Sequence, residues 1–311
     1  MITLFRSDDV GAPVLSGTAG SLITVLDACL VNGYGSKAAA GWQKPFSGAN
    51  LAAYRAQTGN RFYLRIDDSH AQYPVMRGYQ TLSDINNGTG LFPTLVQLAG
   101  GIRGVKSNTA SAVARPWVII ASPRAFYLWV SYAATDMGAL TTFVDIFFFG
   151  DGASYMPGDA CFTGIVGRIL GDAAAATTNF ASLLSTYTVT NGHYLASDFA
   201  QSGNSEPFCC LQSITALAAH AGTAGGFYPD PITGGMLLDR LRVLEGGSIK
   251  RLIRGALPGC YNPIHNLPGF HLDTLQGRGD MTGTDMVILY KGGTEGRVVF
   301  SLNEDDWHPV V

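Results

Sequence analysis

The sequence predicts a β-rich α+β protein, with antiparallel sheets packed in a sandwich-like arrangement and one prominent helix near the N-terminus. Three observations support this fold class. Three aromatic-rich segments of strand length follow one another between residues 115 and 149, and a clear helical pattern occupies about residues 21–31. The 39 Gly and 14 Pro among 311 residues indicate many turns, while a hydrophobic content of 47% is enough for a sizeable core.

The helix is predicted from the spacing of its apolar residues. Positions 22, 25, 26, 29 and 30 are apolar and recur three or four residues apart, which places them on one helical face. Ser21 is the expected N-cap, and Asn32 with Gly33 is expected to end the helix.

The strands are predicted from alternation and from aromatic content. Residues 61–67 place Phe62, Leu64 and Ile66 on one face and Arg61, Tyr63 and Arg65 on the other, which is typical of a half-buried strand. Residues 74–82 are its expected partner, and 86–90 an expected loop. Segments 115–121, 125–132 and 142–149 predict an antiparallel meander with a hairpin connection at 122–124. Residues 147–149 are all Phe and therefore place aromatic side chains on both faces of the third segment. We expect this strand to lie in the centre of its sheet or to be covered by another layer.

The second half of the chain has weaker patterns. We expect a helix at 173–184, strands at 187–194 and 236–244, either a strand or a helix at 208–219, and a hairpin of strands 286–290 and 297–302. A boundary near residues 164–176 would divide the chain into a β-rich lobe with the helix, 1–165, and a second β-rich lobe, 166–311, unless the two form one continuous domain.

Charge is sparse and nearly balanced. The chain has 20 basic and 23 acidic residues, a net charge of -3, which disfavours nucleic-acid binding. The densest basic stretch is expected to be a solvated face or a strip of salt bridges between subunits; it contains Arg240, Arg242, Lys250, Arg251 and Arg254. Charged residues make up 14%, against roughly 25% in an average soluble protein. Because interface cores are depleted in charge, this favours burial of surface against other subunits. A monomer with an uncharged polar surface is the alternative.

Targeting signals and redox chemistry are not prominent. No apolar run reaches the roughly 18 residues of a membrane-spanning helix, and residues 1–9 do not resemble a secretory signal, so we expect synthesis in a cytoplasm. The five cysteines are widely spread and odd in number, which favours reduced thiols. Cys209 and Cys210 are neighbours whose side chains should point to opposite faces of a strand.

The motifs predict no catalytic residue, cofactor site or metal site. Residues 33–38 fit the pattern G-x-G-x-x-A, but a helix precedes them where a dinucleotide site needs a strand, so a loop is expected. Asp67, Asp68 and His70 could belong to a Ca²⁺ or Mg²⁺ site, although turn capping is favoured. Cys260, His265 and His271 are spaced loosely like zinc ligands but lack a fourth partner. The strand aromatics are attributed to core packing rather than to a stacking platform.

The N-terminal helix and the loop at 33–48, which begins at Gly33, are the expected contact surface for a neighbouring subunit. Tyr34, Lys37 and Trp42 are the candidate interface residues, because Tyr and Trp in Gly-rich loops are common interface anchors. An equally good interpretation is that Trp42 fills the core of its own chain.

Segments spread over most of the chain resemble a known family. The most specific part runs from Ser7 to Lys37, and the shorter parts are Ala40-Gly41-Trp42, Ala53-Tyr54-Arg55, Arg77-Gly78-Tyr79, Arg115-Pro116-Trp117, Phe149-Gly150-Asp151, Pro157-Gly158-Asp159, residues 254–261 and Pro263-Ile264-His265-Asn266. Together they resemble a family of bacteriophage virion and tail structural proteins. The vicinal cysteines and the region beyond residue 160 depart from this pattern.

The resemblance implies a component of a tailed-phage virion that is made in the host cytoplasm and contacts copies of itself and other virion proteins. It supplies no catalytic residue and no cofactor. A tail or tail-tip position is the first expectation, and decoration of the capsid or neck the second. A receptor- or glycan-binding module would instead expose Trp or Tyr beside Asp or Asn in a concave patch. A packaged cell-wall hydrolase would gather Asp67, Asp68 and His70 in a cleft.

Overall fold

A computed structural model describes residues 1–137, 144–169, 192–211, 227–246, 252–264, 267, 269–290 and 297–308. In chain order its strands are β1 (Thr3–Arg6), β2 (Leu15–Ser16), β3 (Gln43–Gly48), β4 (Leu51–Arg55), β5 (Tyr63–Asp67), β6 (Val75–Leu82), β7 (Gly88–Phe92), β8 (Ile102–Arg103), β9 (Ala114–Arg115), β10 (Trp117–Ala121), β11 (Ala125–Ser131), β12 (Val144–Asp151), β13 (Ala153–Ser154), β14 (Thr163–Val166), β15 (His193–Leu195), β16 (Glu206–Leu211), β17 (Leu238–Glu245), β18 (Leu252–Pro263), β19 (Thr274–Gln276), β20 (Asp285–Tyr290) and β21 (Arg297–Ser301). The described helical segments are α1 (Ser21–Leu26), a π-helical segment (Asp27–Asn32), a 3₁₀ turn (Gly279–Met281) and a short C-terminal helix (Glu304–Trp307).

Two antiparallel sheets dominate the described residues. The long sheet has the order β1-β10-β11-β12-β14-β15-β16-β17-β18-β21-β20-β19, with β13 paired to β18. The small sheet has the order β3-β4-β5-β6-β7, with β8 paired to β6, and β2 pairs separately with β9. The predicted fold class is therefore confirmed: the chain is β-rich, its sheets are antiparallel and one helix lies near the N-terminus.

The long sheet is apolar on both faces in its first half because both faces are covered. In β10, Trp117 and Ile119 point into a core shared with α1 and the small sheet, whereas Val118 and Ile120 point into a second core. The second core also contains side chains from β16, β17, β18, β20 and β21. The sheet thus packs its second half against its first, and the small sheet covers the opposite face. This layering explains the aromatic runs of the predicted meander, which is confirmed with Ile119 opposite Leu128 and Leu128 opposite Phe147.

The predicted N-terminal helix is present, but its ends differ from expectation. Gly20 occupies the N-cap position with φ +78° and makes no side-chain cap, so the predicted capping role of Ser21 is wrong. The carboxylate of Asp68, at the end of β5, accepts hydrogen bonds from the backbone N–H of Leu22 (2.9 Å) and of Ile23 (3.4 Å) instead. After Leu26 the helix widens to a π-helix, which ends at Gly33 with φ +78°.

The predicted loop at 86–90 is wrong in part. The turn occupies residues 83–87, and Gly88 already begins β7, where Thr89 pairs with Thr81. Glycine is a poor strand residue in general, but a Cβ on Gly88 would lie 2.4 Å from the carbonyl oxygen of Thr81. The close approach of the two strands therefore requires the glycine that the sequence pattern assigned to a loop.

The second half of the chain is described in part. The strands predicted at 236–244, 286–290 and 297–302 are confirmed as β17, β20 and β21, and β20 pairs with β21 in antiparallel register. The predicted helix at 173–184 lies outside the described residues, as do most of the segments 187–194 and 208–219, whose described ends belong to β15 and β16. The proposed lobes 1–165 and 166–311 stay a prediction; β14 spans that boundary and pairs with strands on either side of it.

Candidate functional site

The loop that carries the predicted interface residues lies against the first edge of the long sheet. The hydroxyl of Tyr34 accepts a hydrogen bond from the backbone N–H of Arg6 (3.2 Å) and donates one to Asp9 (2.9 Å). Lys37 Nζ donates to the carbonyl oxygen of Leu4 at 2.9 Å. Burial, followed by the hydrogen bond to Asp9, raises the pKa of Tyr34 well above its usual range, so the phenol stays protonated.

These contacts close the free edge of β1. The backbone N–H of Ser7 bonds Trp117 in the neighbouring strand, so Leu4 and Arg6 present their backbone groups to the opposite, open side. An open strand edge is a template for pairing with another chain, and side chains that occupy its polar groups prevent this. Tyr34 and Lys37 therefore have an intramolecular role, and their role in contacts between subunits remains a prediction.

Trp42 lies in the core of its own chain. It is 3% exposed, its indole Nε1 donates to the carbonyl oxygen of Ser122 (2.8 Å), and its ring meets Phe126 edge-on at 5.5 Å between centroids. This matches the alternative in which Trp42 fills the core, because its side chain leaves almost no surface for a neighbour.

The carboxylates at the end of β5 have separate environments. Asp68 is fully buried, binds Lys106 and caps α1, while Asp67 accepts a hydrogen bond from the backbone N–H of Ser69 (3.1 Å) in a turn. His70 is exposed and stacks on Tyr73 at 3.8 Å between ring centroids. Both carboxylates are occupied by capping contacts, as the favoured interpretation expected, and the three side chains do not share a cleft among those described.

The Cys and His residues are likewise dispersed. Among the described residues, no three His, Cys, Asp or Glu side chains form a group that could hold a metal ion. Cys260 is buried and His271 partly buried, whereas His265 lies outside the described part of the chain. Cys210 faces the second core and Cys209 is partly exposed, which confirms that the vicinal pair points to opposite faces of its strand.

Within the basic stretch of the second half, Arg254 is not part of a solvated face. This side chain is buried and forms ion pairs with Asp159 (2.7 Å) and Glu245 (3.1 Å). Burial opposes the charge of Asp159, but the hydrogen bonds and charge of Arg254 outweigh it and hold the pKa of that carboxyl below its usual range. The expectation of a solvated strip fails here because β18 carries Arg254 into the interior; Arg242 pairs within the chain with Asp239 (2.8 Å).

A polar cleft of about 370 Å³ opens beside this network. Its polar side chains are Asn60, Arg124, Asp151, Ser154, Asp159 and His308. Asp151 is buried and accepts hydrogen bonds from Thr163 (2.7 Å) and from the backbone of Asn60 (2.9 Å), and burial raises its pKa. Burial, and then the charge of Arg124, lower the pKa of His308 to about 3, so its imidazole is neutral at pH 7. Among the described residues that line the cleft, the aromatic side chains are Phe162 and His308.

The described surface exposes many large apolar side chains. A groove of about 360 Å³ has a mixed lining, which includes apolar Pro13, Val14 and Met137 and also the polar or charged Ser7, Asp8, Arg115, Thr135 and Asp136. Val113, which precedes Ala114 of this groove in the sequence, is 48% exposed. Leu95 and Val96 are adjacent in sequence, and Val96 is 98% exposed. The remaining large apolar residues that are exposed are Met1, Val10, Tyr155, Phe199, Phe227, Ile232, Leu237, Leu252, Ile253 and Phe270.

No protein-family model matches the chain, and no curated protein matches it either. Within the described residues, none of the helices combines the length and the apolar character that crossing a bilayer requires.

Proposed function

We propose that the protein is a structural subunit of a tailed-bacteriophage virion, placed in the tail or tail tip and acting through contacts with copies of itself and with other virion proteins. The observation that carries this proposal is the combination of an apolar surface with few charges. Only 14% of the residues are charged, while the groove at Val14 and the pair Leu95 and Val96 expose apolar area. Exposed apolar side chains on a surface with few charges support a role in protein–protein contacts.

The family resemblance is the reason for proposing a bacteriophage particle. The segment from Ser7 to Lys37, which is the most specific part of the resemblance, contains β2, α1, the π-helical segment and the start of the loop whose Lys37 bonds to β1. A closed edge favours assembly through side-chain surfaces rather than through uncontrolled strand pairing. This suits a subunit that must occupy one defined position among several neighbours.

Imaging of labelled particles tests the proposal. An epitope inserted after Gly203 would lie in an exposed turn where a Cβ on that glycine meets nothing within 4 Å. Particles purified from the host that carries the gene would be examined with an antibody against this epitope. We expect label on the tail, in the same small number of copies on every particle.

Other outcomes of this experiment are informative. Label on the capsid or at the neck would move the subunit to the second expected location and overturn the tail assignment. Purified particles that lack the protein, with the tagged protein present in the infected cell, would overturn the virion role itself.

A further inference from the structure

Four arginines form a row across the outer face of the small sheet, the face turned away from the core shared with α1. Arg55, Arg65, Arg77 and Arg103 lie on β4, β5, β6 and β8, and this set is called the arginine row below. Arg65 is directly opposite Arg77, Arg55 is opposite Tyr63 two residues from Arg65, and Arg103 is opposite Val75 two residues from Arg77. Successive arginines in the row are therefore direct or diagonal neighbours on adjacent strands.

The arginine row has no carboxylate partner in the described part of the chain. Ion pairs within 4 Å are made by other basic residues, such as Lys44 with Asp27 and Arg124 with Asp151. The row bonds to backbone carbonyl oxygens instead: Arg55 Nε to Arg61 (3.0 Å), Arg65 Nε to Ile85 (2.7 Å) and Arg77 Nη2 to Ala99 (2.6 Å). These bonds hold three of the four guanidinium groups in place, and Arg65 Nη2 also donates to Asn86 Oδ1 (3.5 Å).

The arrangement opposes the stability of the isolated chain. Like charges directly opposite each other on neighbouring strands are destabilising, and Arg65 and Arg77 are such a pair. Arg77 Nη1 and Arg103 Nε are buried and have no hydrogen-bond partner among the described residues. Burial, together with the charge of Arg65, lowers the pKa of Arg77. All four side chains are partly exposed, so a carboxylate bound at their surface would offset the repulsion between these guanidinium groups.

Two acidic side chains lie near the row without neutralising it. Asp67 follows Arg65 on the same face of β5, and its Oδ1 accepts the backbone N–H of Ser69. Asp84 lies in the turn after β6, and its carboxylate is occupied by the backbone N–H groups of Asn86 and Asn87 and by the Asn87 amide. The face therefore keeps an excess of positive charge in a chain whose net charge is -3.

We propose that the arginine row docks an extended, acidic polypeptide segment of a partner protein. Three strand spacings separate β4 from β8, so the row is about 15 Å long, which corresponds to roughly four or five residues of extended chain. The choice of a polypeptide rests on the proposed function. It also rests on Tyr63, which is 9% exposed, lies under Arg55 (4.9 Å to the ring centroid) and stacks on Phe46, so it offers no open ring to a nucleic-acid base.

Binding of defined acidic probes tests this inference. Fluorescently labelled octaglutamate and an oligothymidylate of equal charge would be titrated with the purified full-length chain, and anisotropy recorded at low and at physiological salt. The test variant carries Arg65→Gln and Arg77→Gln. The matched control carries Arg240→Gln and Arg278→Gln, which remove the same charge from two arginines that lie over Tyr261 and Tyr228 in the second half of the chain.

We expect octaglutamate to bind more tightly than the oligonucleotide, with about tenfold weaker binding in the test variant and unchanged binding in the control. We also expect the test variant to unfold at the same temperature as the wild type or a higher one, because it loses a like-charge pair. Binding that the control weakens as much as the test variant would overturn the row as the docking site, and so would absence of octaglutamate binding at low salt. Tighter binding of the oligonucleotide would overturn the polypeptide as occupant. These results do not depend on particles, so a failure of the virion proposal would be recognised separately.

Discussion

A buried ion pair ties the first helix to the small sheet. Lys106 and Asp68 are 1% and 0% exposed and form a salt bridge, and Lys106 Nζ also donates to the carbonyl oxygen of Thr18 (2.6 Å). Asp68 in turn accepts the N–H groups of Leu22 and Ile23 at the start of α1. The pair therefore joins the end of β5, the first turn of the helix and the segment after β8.

Lys106→Met tests how strongly this pair supports the fold. The substitution keeps the unbranched stem but leaves the Asp68 carboxylate buried without its cation. Removal of one partner from a buried pair costs about 3–5 kcal/mol, whereas removal of an exposed partner costs about 0–1 kcal/mol. Lys44→Met is the matched control, because Lys44 pairs with Asp27 in the helical segment that continues α1 but both side chains are partly exposed (29% and 20%). Urea unfolding followed by Trp fluorescence gives the two free energies.

The loss of unfolding free energy in Lys106→Met should depend on pH in a defined direction. Burial raises the pKa of Asp68 in the folded chain, and removal of Lys106 raises it further. A folded pKa above the unfolded value means that the folded state binds the proton more readily, so the variant is relatively most stable below the unfolded pKa of about 3.9. The wild type stops losing this contribution at its own raised folded pKa, so the deficit of the variant should grow between the folded pKa of the wild type and the higher folded pKa of the variant. A deficit no larger than that of Lys44→Met at pH 8 would refute the reasoning.

Three further outcomes follow from the contacts described above. Tyr34→Phe combined with Lys37→Met frees the carbonyl oxygen of Leu4 and removes one partner of the Arg6 backbone, which keeps its bonds to Asp9. We therefore expect concentration-dependent association in sedimentation velocity beyond that of the wild type, and an unchanged distribution would argue against edge protection. Trp42→Ala should lower the unfolding free energy by about 3–5 kcal/mol in the isolated chain, with Trp42→Phe costing less; an unchanged stability combined with lost particle incorporation would favour the interface role instead. Because the pKa of His308 is about 3 in the folded chain, against about 6.5 in an unfolded chain, its neutral form stabilises the fold above pH ~6.5 and this contribution is lost as pH falls towards 3. His308→Gln should flatten the acid side of the stability profile by up to about 1.4 kcal/mol per pH unit, and an equally steep decline in the variant would contradict the assignment.

Local sequence patterns predicted the elements whose conformation is set by the burial of one of their own faces. The spacing of Leu22, Val25 and Leu26 predicts α1, and the alternation around Leu64 and Ile66 predicts β5, because burial of one face imposes a fixed period on each element. The same pattern failed at Ser21, where the carboxylate of Asp68, far away in the sequence, supplies the cap. It failed in part at 86–90, where the approach of β6 requires glycine in a strand.

The candidate sites required contacts between distant residues. The sequence places Arg65 on an exposed face of its strand, but only the register of β4, β5, β6 and β8 aligns it with Arg55, Arg77 and Arg103. The basic composition around Arg254 suggested a surface, and long-range pairing with Asp159 buries it instead. The spacing of residues within one segment does not show which residues from distant parts of the chain will contact it.

The sequence by itself determined that this chain is β-rich and antiparallel, that it has one helix near its N-terminus, and that its charge is sparse, since periodicity and composition are properties of single segments and of the whole chain. Tertiary structure alone decided that the two halves of the long sheet enclose a second core, that Trp42 faces inward, that Tyr34 and Lys37 close a strand edge and that four arginines share one face. Sheet register and layer packing are set by contacts between residues far apart in the chain, and their free energies depend on burial that exists only after folding.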